Sequence, residues 1–323
     1  MKNTFFLLPI TFFFLLFSAC KKEKIPLQWT QKIIKPDYEW RGVQFFDAQN
    51  GIIVGGKTWS GGYALRTHDG GTTWQHDSVQ QWNLYGLSRD SKPSNSEGGA
   101  CFTIGISGQV FEQKKKDSTF SKVGNPFWRW FHDIAVRGER VIAVGGEGWK
   151  SGVLANFKIG HQTTARMDTF PQELESVAFA DDSVVVAVGY GLILRSTNGG
   201  TSWSPLKKWD SDFYHSICFP SEKIGYIVGY SGEILKTTDG GETWSQLQSP
   251  NSYKPKRFNT VFFTDILRGV ICGDNGTLWR TTDGGETWQI ADNLPKVNFF
   301  DVFLRENDGW LVGNGGTVVT FSF

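Results

Sequence analysis

The sequence predicts an all-β fold, a seven-bladed β-propeller built from four-stranded antiparallel blades. A glycine that ends an apolar run recurs seven times at steps of 40 to 50 residues, and four strand-length runs fill each step. After residue 19, no stretch of the sequence combines a sustained helical periodicity with helix-capping residues. Repeats of this length bury their faces against neighbours, which a closed ring of blades achieves. The recurring glycines are Gly55, Gly105, Gly145, Gly189, Gly229, Gly273 and Gly313.

A single repeat is clearest between residues 256 and 289. One apolar run surrounds Val261, a second ends at Gly273, a third begins at Thr277, and a Gly-rich turn leads to a fourth at Trp288. The runs are rich in Val, Ile, Phe, Thr and Trp, and Gly, Asn and Asp separate them, which is typical of strands joined by tight turns. Each blade is therefore predicted to be a four-stranded meander.

The two ends of the chain predict how the ring closes. The last blade ends at Phe323 after its third strand, whereas residues 27–34 have no hairpin partner of their own. We expect Trp29 to lie in the outer strand of blade seven, because closure removes unpaired strand edges. The first strands carry Val43, Leu87, Ile134, Val177, Ile217, Val261 and Val302, and the third strands follow Gly62, Gly108, Gly152, Gly191, Gly232, Gly276 and Gly316.

Four predicted turns between third and fourth strands share the pattern Thr/Ser-x-Asp/Asn-Gly-Gly-x-Thr/Ser-Trp. The short Asp or Asn side chain can bond backbone N–H groups further along the turn, and the glycines allow positive φ. The Trp supplies apolar area between blades. We therefore expect a structural role for Asp69, Trp74, Asn198, Trp203, Asp239, Trp244, Asp283 and Trp288.

This turn motif resembles the Asp-box, also called the bacterial neuraminidase repeat. With the Val-Gly and Gly-x-Ile-Leu-x-Thr-Thr pieces before it, the chain resembles the photosystem II assembly and stability factor family over residues 29–323, most strongly in blades four to six. Blades two and three lack the box. The resemblance implies a seven-bladed propeller that acts as a protein-binding scaffold or assembly factor. That family includes a lipid-anchored thylakoid chaperone, and similar propellers occur in organisms without photosynthesis.

The N-terminal residues predict export and lipid attachment. Residues 1–19 combine a positive start with an apolar run too short to span a membrane, as in a secretory leader. Residues 17–20 resemble a bacterial lipobox, so Cys20 is expected to become the lipidated N-terminus; the alternative is an ordinary leader with an unmodified cysteine. Residues 20–26 are expected to form a charged tether and 27–323 the propeller. We expect a lipid-anchored protein on a bacterial membrane, facing the periplasm or exterior.

Composition argues against several classes of protein. The formal net charge is +1, so nothing favours nucleic acid as a partner. Apart from Cys20 the chain has Cys101, Cys218 and Cys272, an odd number that argues against a disulfide framework and predicts buried residues. The sequence contains no haem-attachment or dinucleotide motif. We therefore expect no cofactor, no metal and a monomeric chain.

The meander predicts which loops share a face of the ring. Strands alternate in direction, so the loop entering strand one lies beside the loop joining strands two and three, opposite the Asp-box turns. We expect an apolar register to pack between blades and a polar register, one residue later, to rim the channel. The apolar register is Trp40, Leu84, Phe131, Leu174, Tyr214, Phe258 and Phe299, and the polar register is Arg41, Tyr85, His132, Glu175, His215, Asn259 and Phe300.

Aromatic residues of nearby loops join this rim and suggest protein recognition. Trp, Tyr and Arg carry most of the binding energy in protein interfaces. The alternative is that these tryptophans only pack between blades. The candidate partner-binding residues are Arg41, Trp59, Tyr85, Trp128, Arg129, Trp130, His132, Trp149, Glu175, Tyr190, His215, Tyr230 and Asn259.

Residues of the same rim also suggest two other functions, metal binding and glycoside hydrolysis. Convergence of His132, Glu175 and His215 would suit zinc or iron, although no sequence spacing supports a metal site. A sialidase-like or glucanase-like glycoside hydrolase needs an arginine cluster with a Tyr and a carboxylate, or two carboxylates beside a cleft. The polar register offers one Arg, one Tyr and one Glu. The sequence therefore favours a non-enzymatic, membrane-anchored scaffold over a hydrolase.

Overall fold

The computed structural model describes residues 22–57, 59–88, 100–114, 118–124, 127–206, 213–248 and 256–323. They form seven antiparallel meanders around a central channel, which confirms the predicted seven-bladed propeller. No helix occurs in this described part of the chain, so it offers no helical segment able to cross a bilayer. The predicted leader and Cys20 lie outside the described residues.

The first strand of every blade lines the channel and touches the first strands of both neighbouring blades. The first strands are β3 (Glu39–Phe45), β7 (Leu84–Ser88), β11 (Phe131–Arg137), β15 (Leu174–Phe179), β19 (Tyr214–Cys218), β23 (Phe258–Phe263) and β27 (Phe299–Arg305). Second strands are buried along almost their whole length, because sheets cover both of their faces. They are β4 (Gly51–Lys57), β8 (Cys101–Gly105), β12 (Arg140–Gly146), β16 (Val185–Gly189), β20 (Gly225–Gly229), β24 (Gly269–Gly273) and β28 (Asp308–Gly313).

The third strands continue each meander outward, and the fourth strands form its rim, where side chains are more exposed. The third strands are β5 (Gly61–Thr67), β9 (Val110–Gln113), β13 (Gly152–Lys158), β17 (Leu192–Ser196), β21 (Ile234–Thr237), β25 (Thr277–Thr281) and β29 (Thr317–Ser322). In the first six blades the fourth strands are β6 (Gln75–Gln80), β10 (Ser121–Gly124), β14 (His161–Phe170), β18 (Ser204–Pro205), β22 (Ser245–Gln248) and β26 (Trp288–Ala291).

The N-terminal strand β2 (Trp29–Ile33) closes the ring, as predicted. It pairs antiparallel with β29 and becomes the outer strand of blade seven. The hydroxyls of Thr30 and Thr320 lie 2.6 Å apart across this pair. The indole Nε1 of Trp29 donates a 3.1 Å hydrogen bond to the carbonyl of Asn293, so the closing strand is also bonded to blade six.

Residues 22–25 differ from the expected tether, because they form a further strand, β1 (Lys22–Ile25). This strand pairs in parallel with β26 and makes blade six five-stranded. The physical reason is that β26 is otherwise an edge with unpaired backbone groups. Just after β1, Leu27 is buried among residues of blades six and seven, and its amide donates a 3.1 Å hydrogen bond to Oδ1 of Asn293.

The hydrophobic core lies between the blades rather than within them. Buried apolar residues of the described chain form seven clusters, one at each interface between blades. At the junction of blades seven and one, the rings of Phe45 and Trp310 stack with their centres 3.7 Å apart. Cys101 and Cys272 are buried as expected, whereas Cys218 is half-buried because it borders the channel. The apolar register packs between blades, as predicted: Trp40, Leu84, Phe131, Leu174, Tyr214, Phe258 and Phe299 are all fully buried.

The Asp-Gly-Gly turns are held by hydrogen bonds from their own residues. In blade five, Oδ1 of Asp239 accepts bonds from the hydroxyl of Thr237 at 2.7 Å and from the amide of Thr243 at 2.9 Å. Burial would raise the pKa of Asp239, but the bonds that it accepts from the hydroxyl and amide of Thr243 and from the hydroxyl of Thr237 outweigh burial and lower that pKa to about 2. Trp288 is buried, while Trp74, Trp203 and Trp244 are half-buried against the neighbouring blade. The same geometry recurs around Asp69, Asn198 and Asp283.

Candidate functional site

The central channel holds a cavity of about 1010 Å³ whose wall comes from the first strands of all seven blades. The whole polar register lies in that wall: Arg41, Tyr85, His132, Glu175, His215, Asn259 and Phe300. The register predicted from sequence therefore lines one continuous cavity, and its members differ from blade to blade in charge and size.

Every one of these seven residues is the extra residue of a β-bulge. In blade four, Leu174 pairs with Gly189 and Ser176 pairs with Val188, so Glu175 has no partner across the pair and lines the cavity. A bulge re-aims a side chain and bends the strand. The other six first strands shift register at the same place.

The bulge explains the glycine that defines the repeat. A Cβ built on Gly189 would lie 2.1 Å from the carbonyl oxygen of Glu173, closer than any real contact. The same collision, at 2.0 to 2.3 Å from a backbone oxygen, recurs in every blade. Only glycine permits this close approach of two strands. The positions concerned are Gly55, Gly105, Gly145, Gly189, Gly229, Gly273 and Gly313.

One sector of the channel mouth holds two arginines next to aromatic rings. The guanidinium of Arg41 lies between two rings, 5.0 Å from the centre of Tyr85 and 4.1 Å from that of Phe300. Arg41 also forms an ion pair with Glu39. The guanidinium of Arg257 lies 5.5 Å from the Tyr230 ring. In both arginines Nε is buried and has no hydrogen-bond partner among the described residues.

A histidine between two carboxylates occupies the opposite sector. His132 Nδ1 lies 3.3 Å from Oε2 of Glu175, and its Nε2 lies 3.4 Å from Oε1 of Glu173. Glu173 is buried, whereas the side chains of His132 and Glu175 are about four-fifths buried, at 20% and 19% exposure. The imidazole therefore bridges two glutamates of the next blade, one with each ring nitrogen.

The electrostatics of this cluster favour a charged imidazole. Burial disfavours the charged form of His132, but the carboxylates of Glu175 and Glu173 outweigh it and raise the pKa of His132. Burial raises the pKa of Glu173. Burial acts to raise the pKa of Glu175 as well. The net effect is nevertheless a lowered pKa, because interactions that include those with His132 and Tyr190 outweigh burial. By contrast burial lowers the pKa of His215 to about 4, so His215 is neutral at physiological pH.

The cluster fits a bound proton better than a metal ion. One ligand atom each from His132, Glu173 and Glu175 lie within 4.8 Å of one another, which is the spacing of a metal site. However, a single ion can bond only one ring nitrogen, and here each nitrogen faces its own carboxylate. The predicted alternative trio of His132, Glu175 and His215 is not the group that the structure brings together, since Glu173 takes the place of His215.

The same geometry disfavours the hydrolase alternative. The pKa values of Glu173 and Glu175 move in opposite directions, as in an acid and base pair. Both carboxylates nevertheless face one imidazole instead of flanking an open cleft, and Glu173 is buried. An acid and a nucleophile that attack a sugar from two sides need access to the bond between them.

Two tryptophans project from equivalent hairpins at this mouth. Trp59 follows the second strand of blade one and Trp149 that of blade three; they are 57% and 68% exposed. Both have a left-handed backbone, with φ of 66° and 67°. Trp59 contacts Trp130, with ring centres 5.2 Å apart. The amide of Trp149 donates a 2.9 Å hydrogen bond to Oε2 of Glu173.

Aromatic rings continue from Trp149 along the rim through two further blades. Trp149 lies 6.1 Å from Tyr190, Tyr190 lies 4.8 Å from Phe213, and Phe213 lies 6.1 Å from Tyr230, measured between ring centres. Phe213 and Tyr230 are themselves 36% and 47% exposed. This aromatic arc, Trp149, Tyr190, Phe213 and Tyr230, ends at Arg257.

The remaining predicted residues differ in how exposed they are. Trp128 is 60% exposed, and Arg129 bonds the carbonyl of Trp128 at 2.9 Å, so both lie at the surface. Trp130 is half-buried against Trp59. The side-chain Nδ2 of Asn259 donates to Oδ1 of Asp274 at 2.8 Å and to the carbonyl of Phe299 at 2.9 Å, so its donors are used within the wall.

Sequence reasoning missed three residues of this rim: Glu173, Phe213 and Arg257. All three stand one residue before the apolar register, in the segment that enters the first strand. Glu173 contacts His132 and the Trp149 amide. Phe213 packs between Tyr190 and Tyr230, and the Arg257 guanidinium lies over the Tyr230 ring. Extending the register comparison by one more position would have found them.

No family model matches the chain, and no curated protein matches it. Among solved structures, "YCF48 bound to D1 peptide" is similar with a TM-score of 0.70 and 15% identity, over 94% of this chain and 100% of that chain. YCF48 from Cyanidioschyzon merolae gives 0.67 and 17%, over 91% and 98%. The WD40 propeller domain of Doa1 gives 0.63 and 12%, over 91% and 95%. At these identities the likeness shows the shared propeller fold.

Proposed function

We propose that this protein is a non-enzymatic scaffold that binds an extended segment of a protein partner across the channel mouth. The observation that carries the proposal is the pair Trp59 and Trp149. Both are exposed, and both have a left-handed backbone conformation. That conformation costs about 1–2 kcal/mol for a residue other than glycine. Strain of this kind clusters at binding sites, where the surrounding structure holds it in place.

The composition of the mouth supports a protein ligand. Interfaces concentrate binding energy in Trp, Tyr and Arg, and the mouth presents Trp149, Tyr230, Arg41 and Arg257 together. A cavity of about 1010 Å³ has the size of a small-ligand pocket, which suits a few side chains of an extended segment rather than a folded domain.

The comparisons support the same class of function. One similar propeller, YCF48, was solved with a D1 peptide, which makes a peptide a reasonable ligand for this fold. The sequence resemblance to photosystem II assembly and stability factors adds a role in assembly. The lipobox-like residues ending at Cys20 add a lipid anchor at a bacterial membrane, where such a scaffold would meet its client.

Comparative co-purification tests this proposal. Wild-type protein, the double variant W59A/W149A and a matched control I266A/L267A would be captured from host membranes and their bound proteins quantified. Ile266 and Leu267 are also exposed apolar residues, at 46% and 51%, but lie in the turn between β23 and β24 on the other face. We expect a partner that the rim variant loses by about tenfold or more. Equal recovery by all three proteins would refute the proposal.

A further inference from the structure

The structure points to a proton-controlled latch at the mouth: we propose that Glu173 positions the Trp149 loop, and that it does so only while His132 is charged. The latch itself is a property of this chain alone. Its consequence for partner binding rests on the proposed function.

One carboxylate makes both contacts of the latch. Oε2 of Glu173 accepts the amide hydrogen of Trp149 at 2.9 Å, and Oε1 lies 3.4 Å from Nε2 of His132. Glu173 is 5% exposed, so water does not readily replace either partner. The three residues come from a blade-three hairpin, the segment before β15, and β11. Blades three and four are thus joined at the point where Trp149 projects.

The charges around His132 come from four elements. Beside Glu173, the carboxylate of Glu175 on β15 faces Nδ1 at 3.3 Å. Arg41 on β3 opposes the charge on His132, and the ring of Tyr85 on β7 lies 6.1 Å away. His215 on β19 and the hydroxyl of Tyr190 act on Glu175. Two carboxylates therefore favour the charged imidazole, and one guanidinium disfavours it.

Loss of the proton from His132 leaves two buried carboxylates close together without their counter-charge. Such an arrangement is costly, so Glu173 must take up a proton or turn toward solvent. Either change weakens the carboxylate that accepts the Trp149 amide. The carboxylates raise the pKa of His132 above its usual 6.5, so the latch is intact where His132 is protonated and Glu173 is ionised, and it opens as pH rises through the raised pKa of His132.

Blade one provides an internal control. Its hairpin presents Trp59 with almost the same φ, but Asn83 stands at the position that corresponds to Glu173. Oδ1 of Asn83 accepts the amide hydrogen of Leu84 at 2.9 Å. An asparagine side chain does not titrate, so the Trp59 loop has no equivalent proton switch.

Fluorine NMR of the full chain labelled with 5-fluorotryptophan tests the latch without a partner. Resonances of Trp149 and Trp59 are assigned with W149F and W59F, and the spectra are followed from pH 5 to 9. We expect the Trp149 resonance to titrate and the Trp59 resonance to stay constant. The titration should be lost in H132N and in the isosteric E173Q, and retained in E147Q, which changes an exposed carboxylate of the same loop.

A Trp149 resonance that does not move with pH, or that titrates unchanged in H132N, would overturn the proposal. So would stoichiometric zinc in the purified protein, because a metal ion would replace the proton. Circular dichroism of each variant confirms folding, and E173Q with wild-type protein suffices should H132N not fold. The latch and the proposed function can fail independently. If the Trp149 resonance titrates but no partner binds at the mouth, only the proposed function is contradicted.

Discussion

The backbone amide of Val43 in blade one donates a 2.9 Å hydrogen bond to Oδ2 of Asp301 in blade seven. Asp301 directly follows the bulged residue, and the same position makes equivalent bonds between other blades, as from the amide of Val177 to Asp133 at 3.0 Å. The residue after each bulge thus reaches the next first strand in several blades and fixes the blades against one another.

Replacing Asp301 by alanine tests this link at the closing interface. We expect a loss of about 1–3 kcal/mol in the free energy of unfolding, because the buried amide of Val43 loses a hydrogen-bond acceptor. Urea denaturation measures it. Asp308→Ala, an exposed change in the next strand of the same blade, is the control. Equal effects of the two variants would contradict a specific role for Asp301.

A second prediction concerns the repeat glycine. Gly189→Ala places a Cβ about 2.1 Å from the carbonyl oxygen of Glu173. The colliding atoms belong to the backbone, so the two paired strands would have to move apart. We expect destabilisation of more than about 3 kcal/mol, at the upper end of overpacking effects. Ala187→Gly, two residues earlier in the same buried strand, should cost only about 1 kcal/mol. Similar urea midpoints for the two variants would show that the bulge does not require glycine.

Acid stability separates titrating turns from a non-titrating one. The pKa of Asp239 is lowered to about 2 from 3.8, so its contribution is present above the unfolded value and is lost as pH falls toward 2. In blade four Asn198 makes the corresponding bonds without a charge. We expect D239N to be less stable than wild type at pH 6 and to approach it near pH 2. Melting temperatures across this range provide the check, and a pH-independent difference would oppose the assignment.

The left-handed backbone of Trp149 predicts that a substitution can keep or raise stability while it removes partner binding. Trp149→Gly relieves the strained φ, so we expect unchanged or higher stability, by up to about 1 kcal/mol. The variant should nevertheless lose partner binding, because the exposed ring is gone. Trp128→Gly is the control: Trp128 is similarly exposed and is not among the left-handed residues. Thermal melts and co-purification are measured on both. A strongly destabilised W149G would show that the ring serves folding.

The sequence predicted the blade number, the closing strand and the register that faces the channel. It could do so because period, strand length and apolar alternation are local properties, and because an unmatched third strand in blade seven requires a partner such as the segment at Trp29. The turn chemistry around Asp239 was equally predictable, since all of its bonds lie within seven residues of sequence.

The sequence did not reveal the bulges or the role of Glu173. A bulge is defined by cross-strand pairing, so one strand alone shows only that the residue at position 175 is polar. The contact of Glu173 with the Trp149 amide joins residues in different blades, and no spacing rule connects them. The strand at residues 22–25 was missed for a related reason: its charged composition indicates a tether, whereas the open edge of β26 is a tertiary feature.

Site-specific photo-crosslinking tests directly whether the mouth is the partner-binding face. A benzophenone amino acid is placed at position 149 on the mouth and, in a separate protein, at position 267 on the opposite face. Both are irradiated with host membranes. We expect one dominant adduct at position 149, mapped by mass spectrometry to a single continuous segment of one protein, and none of it at position 267. The same adduct from both positions, or only from position 267, would show that the mouth is not the binding face.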